Sequence, residues 1–444
     1  MKKNNFPVLY PDAAGIDIAS KLHYVAVNPD SDSVPIRSFG TFTEDLISLC
    51  QWLIKCNVTT VAMESTSIYW MPLFQMLEEN GIEVVLVNAK HVKNVRGKKT
   101  DVSDAEWIRQ LHSCGLLTAS FQPDDFTRTL RTYMRQRKNL IQSSAMHINL
   151  IQKAFEQMNI KLQHVIADIT GKSGQAIINA ILKGERKSEN LVQLLDGRIK
   201  ASREDVMKSL VGTWKEEHLF EIKQSYDAFL FFKQQILDCD KKIESLLKSK
   251  TDTGPDNQSK DYKKKFDWSK PKDLSFDAAG LLKKITGIDL TEIFGIGASS
   301  AVEILSEIGW DMTKWKTEKH FTSWLNLAPN NKKTGGKIIS SRTQKRKNKA
   351  GQVFKIAANA VQRSKHWLAS FFHRIKQKAG TGKAITATAR KIAVIFYRML
   401  KDKVEFKPIP LQTYLDMMNH KKITKLNKQA RNLGFKITPL EVVT

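Results

Sequence analysis

The apolar positions of this chain fall into two textures. Up to residue 87 they come in short runs separated by polar turns. Residues 15–18 and 24–27 are β-rich runs on either side of a polar turn at Ser20 and Lys21, which is a hairpin signal. Residues 37–42 supply a third strand. Residues 44–56 have helical period, with Leu46, Ile47, Leu49, Cys50, Leu53 and Ile54 on the apolar side. A short apolar strand over 58–63 ends in Glu64, a helix over 68–79 stops at Gly81, and 84–87 is another buried strand. Three strands, then helix, strand, helix, strand and helix, is an α/β pattern with a mixed sheet.

Beyond residue 127 the period is almost entirely helical. Leu130, Met134, Leu140, Ile141, Ile148, Ile151 and Phe155 keep register through 127–162, with Arg128, Arg131, Arg135, Arg137 and Lys138 interleaved. This predicts a long basic helix. Further helices are expected over 166–195 and 204–211. A second strong period over 218–247 suits an antiparallel, coiled-coil-like partner for the first. Residues 248–275 have no period and are rich in Lys, Asp, Ser, Gly and Pro, as a linker is. A compact helical run follows, in which Gly295 and Gly297 make a Gly-x-Gly turn between helices, similar to a helix–hairpin–helix whose backbone amides meet phosphates. Helices are expected over 321–327, 353–371 and 384–400, with a polar basic loop between the first two and a weakly patterned tail. No internal repeat is present. The expected division is 10–125 for the α/β domain, 126–250 for the helical arm, 251–276 for the linker, 277–400 for a mainly α C-terminal domain and 401–444 for a basic tail.

Composition changes the picture chiefly through charge. The 444 residues carry a net +26, an argument about partners more than about fold. Nucleic acid is the leading partner. No run is long enough to span a bilayer, and MKKNNFPVLYP has charge without the apolar stretch of a secretory signal. A cytoplasmic protein with no membrane partner is expected. Four cysteines, Cys50, Cys56, Cys114 and Cys239, form no Cys-x-x-Cys pair, which argues against zinc and for reduced thiols.

The candidate chemistry centres on GKKTDVSDAEWI, residues 97–108. Asp101 and Asp104 are one helical turn apart and can address one place, with Lys98 and Lys99 just before them. Acids at a helix start also offset its dipole, and Ser103 with Glu106 could make a capping box. Asp17 stands inside an Ile-Asp-Ile strand, where a carboxylate is costly unless it is paired, protonated or bound to a cation. Glu64 closes a later strand, at the end where open α/β sheets place their sites. Together the four suit divalent-metal chemistry on phosphates. A second signal is Thr334-Gly335-Gly336-Lys337: a hydroxyl on a Gly-flanked, Lys-rich loop can approach and attack a phosphate, and a surface turn is the plain alternative. Ser340 and Ser341 are neighbouring hydroxyls. Lys332, Lys333, Lys337, Arg342, Lys345 and Arg346 are expected to hold nucleic acid with the arm's basic residues.

As a set these residues resemble the DEDD-type insertion-sequence transposases, the family of bridge-RNA-guided recombinases. GIDIASKLHYVAV is similar to its first strand and hairpin, AMESTSIYW to its Glu segment and KKTDVSDAEWI to its paired-Asp motif. ITGIDLTEIFGIGASSAVEILSEIG, FTSWLNLAPNNKKTGGK and SRTQKRKN resemble its second transposase domain. The resemblance implies a RuvC/RNase H-like N-terminal domain with Asp17, Glu64, Asp101 and Asp104 as metal ligands and catalytic acids. It implies Mg²⁺, with Mn²⁺ able to substitute, together with donor and target DNA, a structured guide RNA, a dimer or tetramer, and a nucleoid-associated bacterial setting. The family places a serine nucleophile ahead of Gly-Gly-Lys, and this chain has Thr334 there. Two other readings share part of these features: a junction-resolving nuclease using the same acids with water, and a nucleic-acid-binding scaffold without chemistry.

Overall fold

The structure is a computed structural model that describes residues 7–88, 101–251, 273–344 and 347–438, without the side chains of residues 101–103. The chain divides into two compact units, Met1–Gln122 and Pro123–Thr444.

The first unit is built on a five-stranded sheet, β1 (Ala13–Ile18), β2 (His23–Ala26), β3 (Ile36–Phe39), β4 (Thr60–Glu64) and β5 (Glu83–Val87), in the order β3-β2-β1-β4-β5. β1 pairs antiparallel with β2 and parallel with β4, so the sheet is mixed. Strand alternation sorts the faces. Ala14, Ile16, Ile18, Val61 and Met63 turn to one side, against Leu46, Leu49 and Leu53 of α1 (Thr43–Lys55) and Leu73, Phe74 and Leu77 of α2 (Trp70–Glu79). Ala62 and Val87 turn to the other and pack on Ile108 of α3 (Asp101–Ser113). The expected α/β domain is therefore present, with its third strand shorter than the 37–42 expected.

The second unit is helical. α4 (Asp125–Gln157) and α9 (Glu216–Thr251) form the expected long antiparallel pair, and His147 stacks on Phe232 across it at 5.5 Å. At the far end of the pair α5 (Leu162–Val165), α6 (Lys172–Leu182), α7 (Ser188–Leu191) and α8 (Arg203–Ser209) fold into a small lobe with its own core of Phe155, Ile177, Ile181, Leu191, Val206 and Ile222. Within the helical region expected over 166–195, α6 starts only at Lys172, because Asp168 accepts from the Thr170 backbone and hydroxyl and turns the chain ahead of it.

The expected linker falls largely on residues 252–272, outside the described residues. Beyond it α10 (Ala278–Thr286), α11 (Ala298–Ile308), α12 (Glu318–Trp324), α13 (Lys349–Val361), α14 (Trp367–Ala379) and α15 (Thr381–Asp402) surround an aromatic core of Phe321, Phe354, Phe372, Phe396 and Tyr397. The helix expected over 353–371 is two helices, split where His366 accepts from the Leu368 backbone and starts α14. Between α12 and α13 lies a two-stranded hairpin, β6 (Lys332–Thr334) and β7 (Lys337–Ser340). The weakly patterned tail carries one helix, α16 (Leu411–Asn432), held by Tyr414 against Trp367. Among the described residues no helix is long and apolar enough to cross a membrane.

Candidate active site

Gly15 fixes where α3 sits. A Cβ on Gly15 would stand 2.2 Å from the Arg109 backbone nitrogen and 2.4 Å from the Ala105 carbonyl oxygen, so the helix lies directly on the strand. The opposite end of α3 is pinned at the start of the sheet. Ser113 accepts from the Leu9 and Tyr10 backbone amides at 2.8 and 3.0 Å, just before β1. His112 bonds Thr60 Oγ1, at the start of β4, at 2.9 Å. α3 therefore runs antiparallel to β1 and β4, and its first turn arrives at their carboxyl ends.

Those ends carry the acids. Ile16 pairs with Met63 in the last rung of the two strands, and Asp17 and Glu64 follow it, by strand alternation on the face that α3 covers. Tyr24 pairs with Asp17 from the other side. Asp17 lies about 7 Å beyond the Gly15 rung. Counted from the middle of the Ala105–Arg109 contact, Asp104 lies about 5 Å and Asp101 about 9 Å toward the helix start. The backbone thus turns the start of α3 toward the strand ends that carry Asp17 and Glu64. Glu64 is half-buried and accepts from Thr66 Oγ1 at 3.4 Å. Among the described residues no three ligating side chains close into a metal site. The Asp101 side chain lies outside them, as do Lys98 and Lys99. An all-carboxylate donor set at a helix start suits a hard divalent cation and a phosphate. The Ser103 side chain of the expected capping box lies outside the described residues, and Glu106 accepts from Arg109 and Gln110 at 2.7–2.9 Å.

Thr334 is in the second unit, at the tip of the β6–β7 hairpin. Gly335 and Gly336 have φ of +53° and +77°, the two left-handed positions of the tight turn that suits such a hairpin. Thr334 pairs with Lys337, and residues 329–339 are all exposed. Ser340 is half-buried and Ser341 exposed, two and three residues past Ile338. Lys332, Lys333, Lys337 and Arg342 are exposed around the hairpin, and Lys345 and Arg346 lie outside the described residues.

The arm's basic residues have partners that pattern reading did not supply. Arg137 is buried and donates to Asp240 at 2.5 Å and to the Asp273 carbonyl at 2.6 Å. The expectation that it meets phosphate is corrected, because its guanidinium is enclosed and occupied. Arg131 donates to the Ser306 and Glu307 carbonyls at the end of α11, at 3.1 and 2.8 Å. Burial pushes its pKa down while Glu307 raises it. Arg135 makes a two-pronged bond to Glu307 at 2.8–2.9 Å, Lys138 bonds Glu303 at 2.5 Å, and Arg128 bonds Asp125 at 3.3 Å. Arg131, Arg135 and Lys138 join the arm to α11, while the Arg128 bond stays within α4. Of the two turn glycines, Gly295 packs on α13, where a Cβ would meet the Ala357 carbonyl at 2.7 Å. Gly297 caps α11 with nothing within 4 Å of such a Cβ, leaving the backbone open to a ligand.

One signal escaped the pattern reading. From Lys319 to Lys401 there are 20 Lys and Arg residues and no Asp or Glu. The hairpin sits inside this acid-free stretch, so the charge bias is concentrated around Thr334.

Two family models match the chain. Residues 14–160 match the family model described as DEDD_Tnp_IS110, transposase. Residues 289–373 match the one described as transposase, IS116/IS110/IS902 family. No curated protein matches the chain.

Proposed function

The chain belongs to the DEDD-type IS110 family of transposases, and from that premise we propose that it cuts and rejoins DNA through a covalent link to Thr334, assisted by Asp17, Glu64, Asp101 and Asp104. The observation that carries this reading is that Asp17 and Glu64 each follow the last paired rung of β1 and β4, with the start of α3 directed toward them. Domains of this type work with divalent metal, and we take the ion to be Mg²⁺. Held by the four carboxylates, such an ion would offset the charge that builds on the phosphate in an in-line displacement.

The chain's own groups would divide the remaining work. Thr334 Oγ attacks the phosphorus, and the bond from phosphorus to one bridging oxygen of the strand breaks. The hydroxyl proton passes to a base, and the departing oxygen takes up a proton. The product is a phosphothreonine ester that keeps the phosphodiester's energy. The hydroxyl of a second strand can therefore reverse the step and rejoin without any external energy source. Lys337, paired with Thr334, and Lys333 hold the strand by its phosphates. Threonine is stiffer and more crowded than serine at this position, so the Thr334 step is expected to be slow for its class.

Delegating sequence choice to a structured RNA would leave the protein to hold backbone, which suits a chain with +26 net charge. Thr334 projects on an exposed hairpin, so the carboxylates that assist it could come from a second copy in a dimer or tetramer.

The test uses the full chain with a plasmid carrying its coding sequence and native flanking DNA, incubated with Mg²⁺ and stopped with denaturant. A DNA-linked protein should form, and peptide mapping should place the link on Thr334. T334A should form none, and T334S should form it faster. A link at Ser340 or Ser341 would reassign the nucleophile. Nicking by T334A at the wild-type rate would replace this reading with hydrolysis by water at the same four acids.

A further inference from the structure

The β6–β7 hairpin stands apart from the cores described above: it has two strands only, and residues 329–339 are exposed throughout. Lone two-stranded hairpins are marginally stable in water. This one nevertheless carries two large apolar side chains in the open. Ile338 is 55% and Ile339 69% exposed. They are the only apolar residues between Pro329 and Ala350. Lys333 pairs with Ile338 and Lys332 with Ser340, so Ile339 is the extra residue of a bulge. Bulges re-aim side chains and recur beside active sites. Both isoleucines are β-branched and stiff at χ1, so holding them in one orientation costs little rotamer freedom.

Their surroundings select the partner. Lys332, Lys333, Lys337 and Arg342 flank them, and no acid occurs from residue 319 to 401. A second copy of the hairpin would bring like charges together. A partner with anionic groups outside and flat apolar faces inside satisfies both features, and stacked DNA is such a partner. Many DNA-bending proteins insert Ile, Leu, Phe or Met between base steps and unstack them. The rung of Ile338 lies about 3.4 Å from that of Thr334, the rise between stacked bases along one strand. Alternation places Thr334 with Lys337 on one face and Lys333 with Ile338 on the other.

We infer that Ile338 and Ile339 form an apolar wedge that enters the base stack beside the phosphate addressed by Thr334 and opens one step. The inference rests on the reading above that this hairpin meets DNA. Opening a step loosens the local backbone, which gives the crowded threonine hydroxyl an in-line path to phosphorus. It also makes cleavage sensitive to how easily the step unstacks, with pyrimidine–purine steps favoured.

The probe is a short duplex of arbitrary sequence carrying 2-aminopurine, whose fluorescence rises when it unstacks. It is titrated with the full chain in EDTA, so that no strand is cut, while the anisotropy of a terminal dye reports binding. Wild type should raise the fluorescence. I338A/I339A should bind with an unchanged salt dependence and leave the signal at the free-duplex level, and I338L/I339L should restore the rise. K333Q/K337Q should flatten the slope of log affinity against log salt by about 1.8 and keep the rise per bound molecule. A wild-type rise from I338A/I339A, or no rise from wild type, overturns the wedge. So does an I338A/I339A protein that changes only its sedimentation, because the patch would then join copies of the chain. The plasmid assay separates this from the function itself. Unstacking without a covalent adduct leaves the wedge and removes strand exchange, and a full yield of adduct from I338A/I339A with wild-type fluorescence does the reverse.

Discussion

Gly15 of β1 and Arg109 of α3 touch backbone to backbone: the space a Cβ would need at Gly15 is filled by the Arg109 amide, 2.2 Å away. This contact sets how far α3 stands from the sheet, and so whether its first turn reaches Asp17. G15A must push the helix away, because the obstructing atoms are backbone and cannot rotate aside. Overpacking of this kind costs about 1–3 kcal/mol. Strand cleavage should fall by more than the loss of folded protein explains, since displacing a catalytic group by a fraction of its reach is itself expensive. Thermal unfolding and cleavage measured on the same preparation check this. A destabilised G15A protein with a wild-type rate per folded molecule would show that α3 does not position the acids.

Asp17 and Glu64 are like charges on adjacent parallel strands, and like charges placed there repel. Without divalent cation, E64Q should therefore melt at or above the wild-type temperature, with D17N measured beside it. With Mg²⁺ the order should reverse: a cation bound only to the folded state stabilises by about 2.7 kcal/mol at a hundred times its dissociation constant. Wild type should gain and the variants should not. Calorimetry with and without Mg²⁺ reads this independently of any DNA. An equal gain in D17N would put the ion elsewhere.

The first unit was legible because its signals are local. Two apolar runs around Ser20 and Lys21, an apolar strand ending at Glu64 and the periodic run after Asp101 each declare themselves within a dozen residues. The approach of α3 toward Asp17 was not legible, because it depends on Gly15, whose lack of a side chain looks the same in any turn-rich segment. The partners of the arm's cations were hidden for a different reason. Arg135 and Glu307 are 172 positions apart, and a basic stripe on a helix reads the same whether it faces phosphate or an acid from a distant element. The pattern predicts a loop at Thr334 because Lys332 to Ser340 lacks strand alternation, although the Gly335-Gly336 pair marks a hairpin turn. The break between α13 and α14 escaped because apolar spacing continues across it while His366 supplies the cap.

Arg137 and Asp240 form a salt bridge inside the α4–α9 pair, 4% and 1% exposed at their side chains. Asp240 also accepts from the Ser275 backbone at 3.0 Å, and Arg137 donates to the Asp273 carbonyl, so the pair ties the arm to the chain entering α10. Removing one partner strands a buried charge, at a cost of about 3–5 kcal/mol. D240A should lower the melting temperature of the second unit sharply. R137L/D240L should recover most of that loss, less what Asp273 and Ser275 forfeit. A double-mutant cycle by chemical denaturation measures the coupling. A double variant as unstable as D240A would mean that the ties to Asp273 and Ser275 dominate.

His112 connects this packing to pH. Its ring bonds Thr60 Oγ1 and stacks on Tyr10 at 5.4 Å, and burial pushes its pKa below the ordinary 6.5. His23, buried on the other face, is lowered too, again chiefly by burial. Above pH 6.5 both are neutral whether the chain is folded or not, and they add no pH dependence. As pH falls below 6.5 the unfolded chain takes up protons that the folded one refuses, so stability drops until the lowered folded values are reached. Each such proton tilts stability by about 1.4 kcal/mol per pH unit. The first unit should therefore melt at progressively lower temperature on mild acidification, while the carboxylates are still ionised. H112N keeps a side chain able to bond Thr60 but cannot titrate, and it should flatten the dependence by roughly half. Melting curves across this range in wild type, H112N and H23N decide the point: a slope unchanged in both variants would place the titrating group elsewhere.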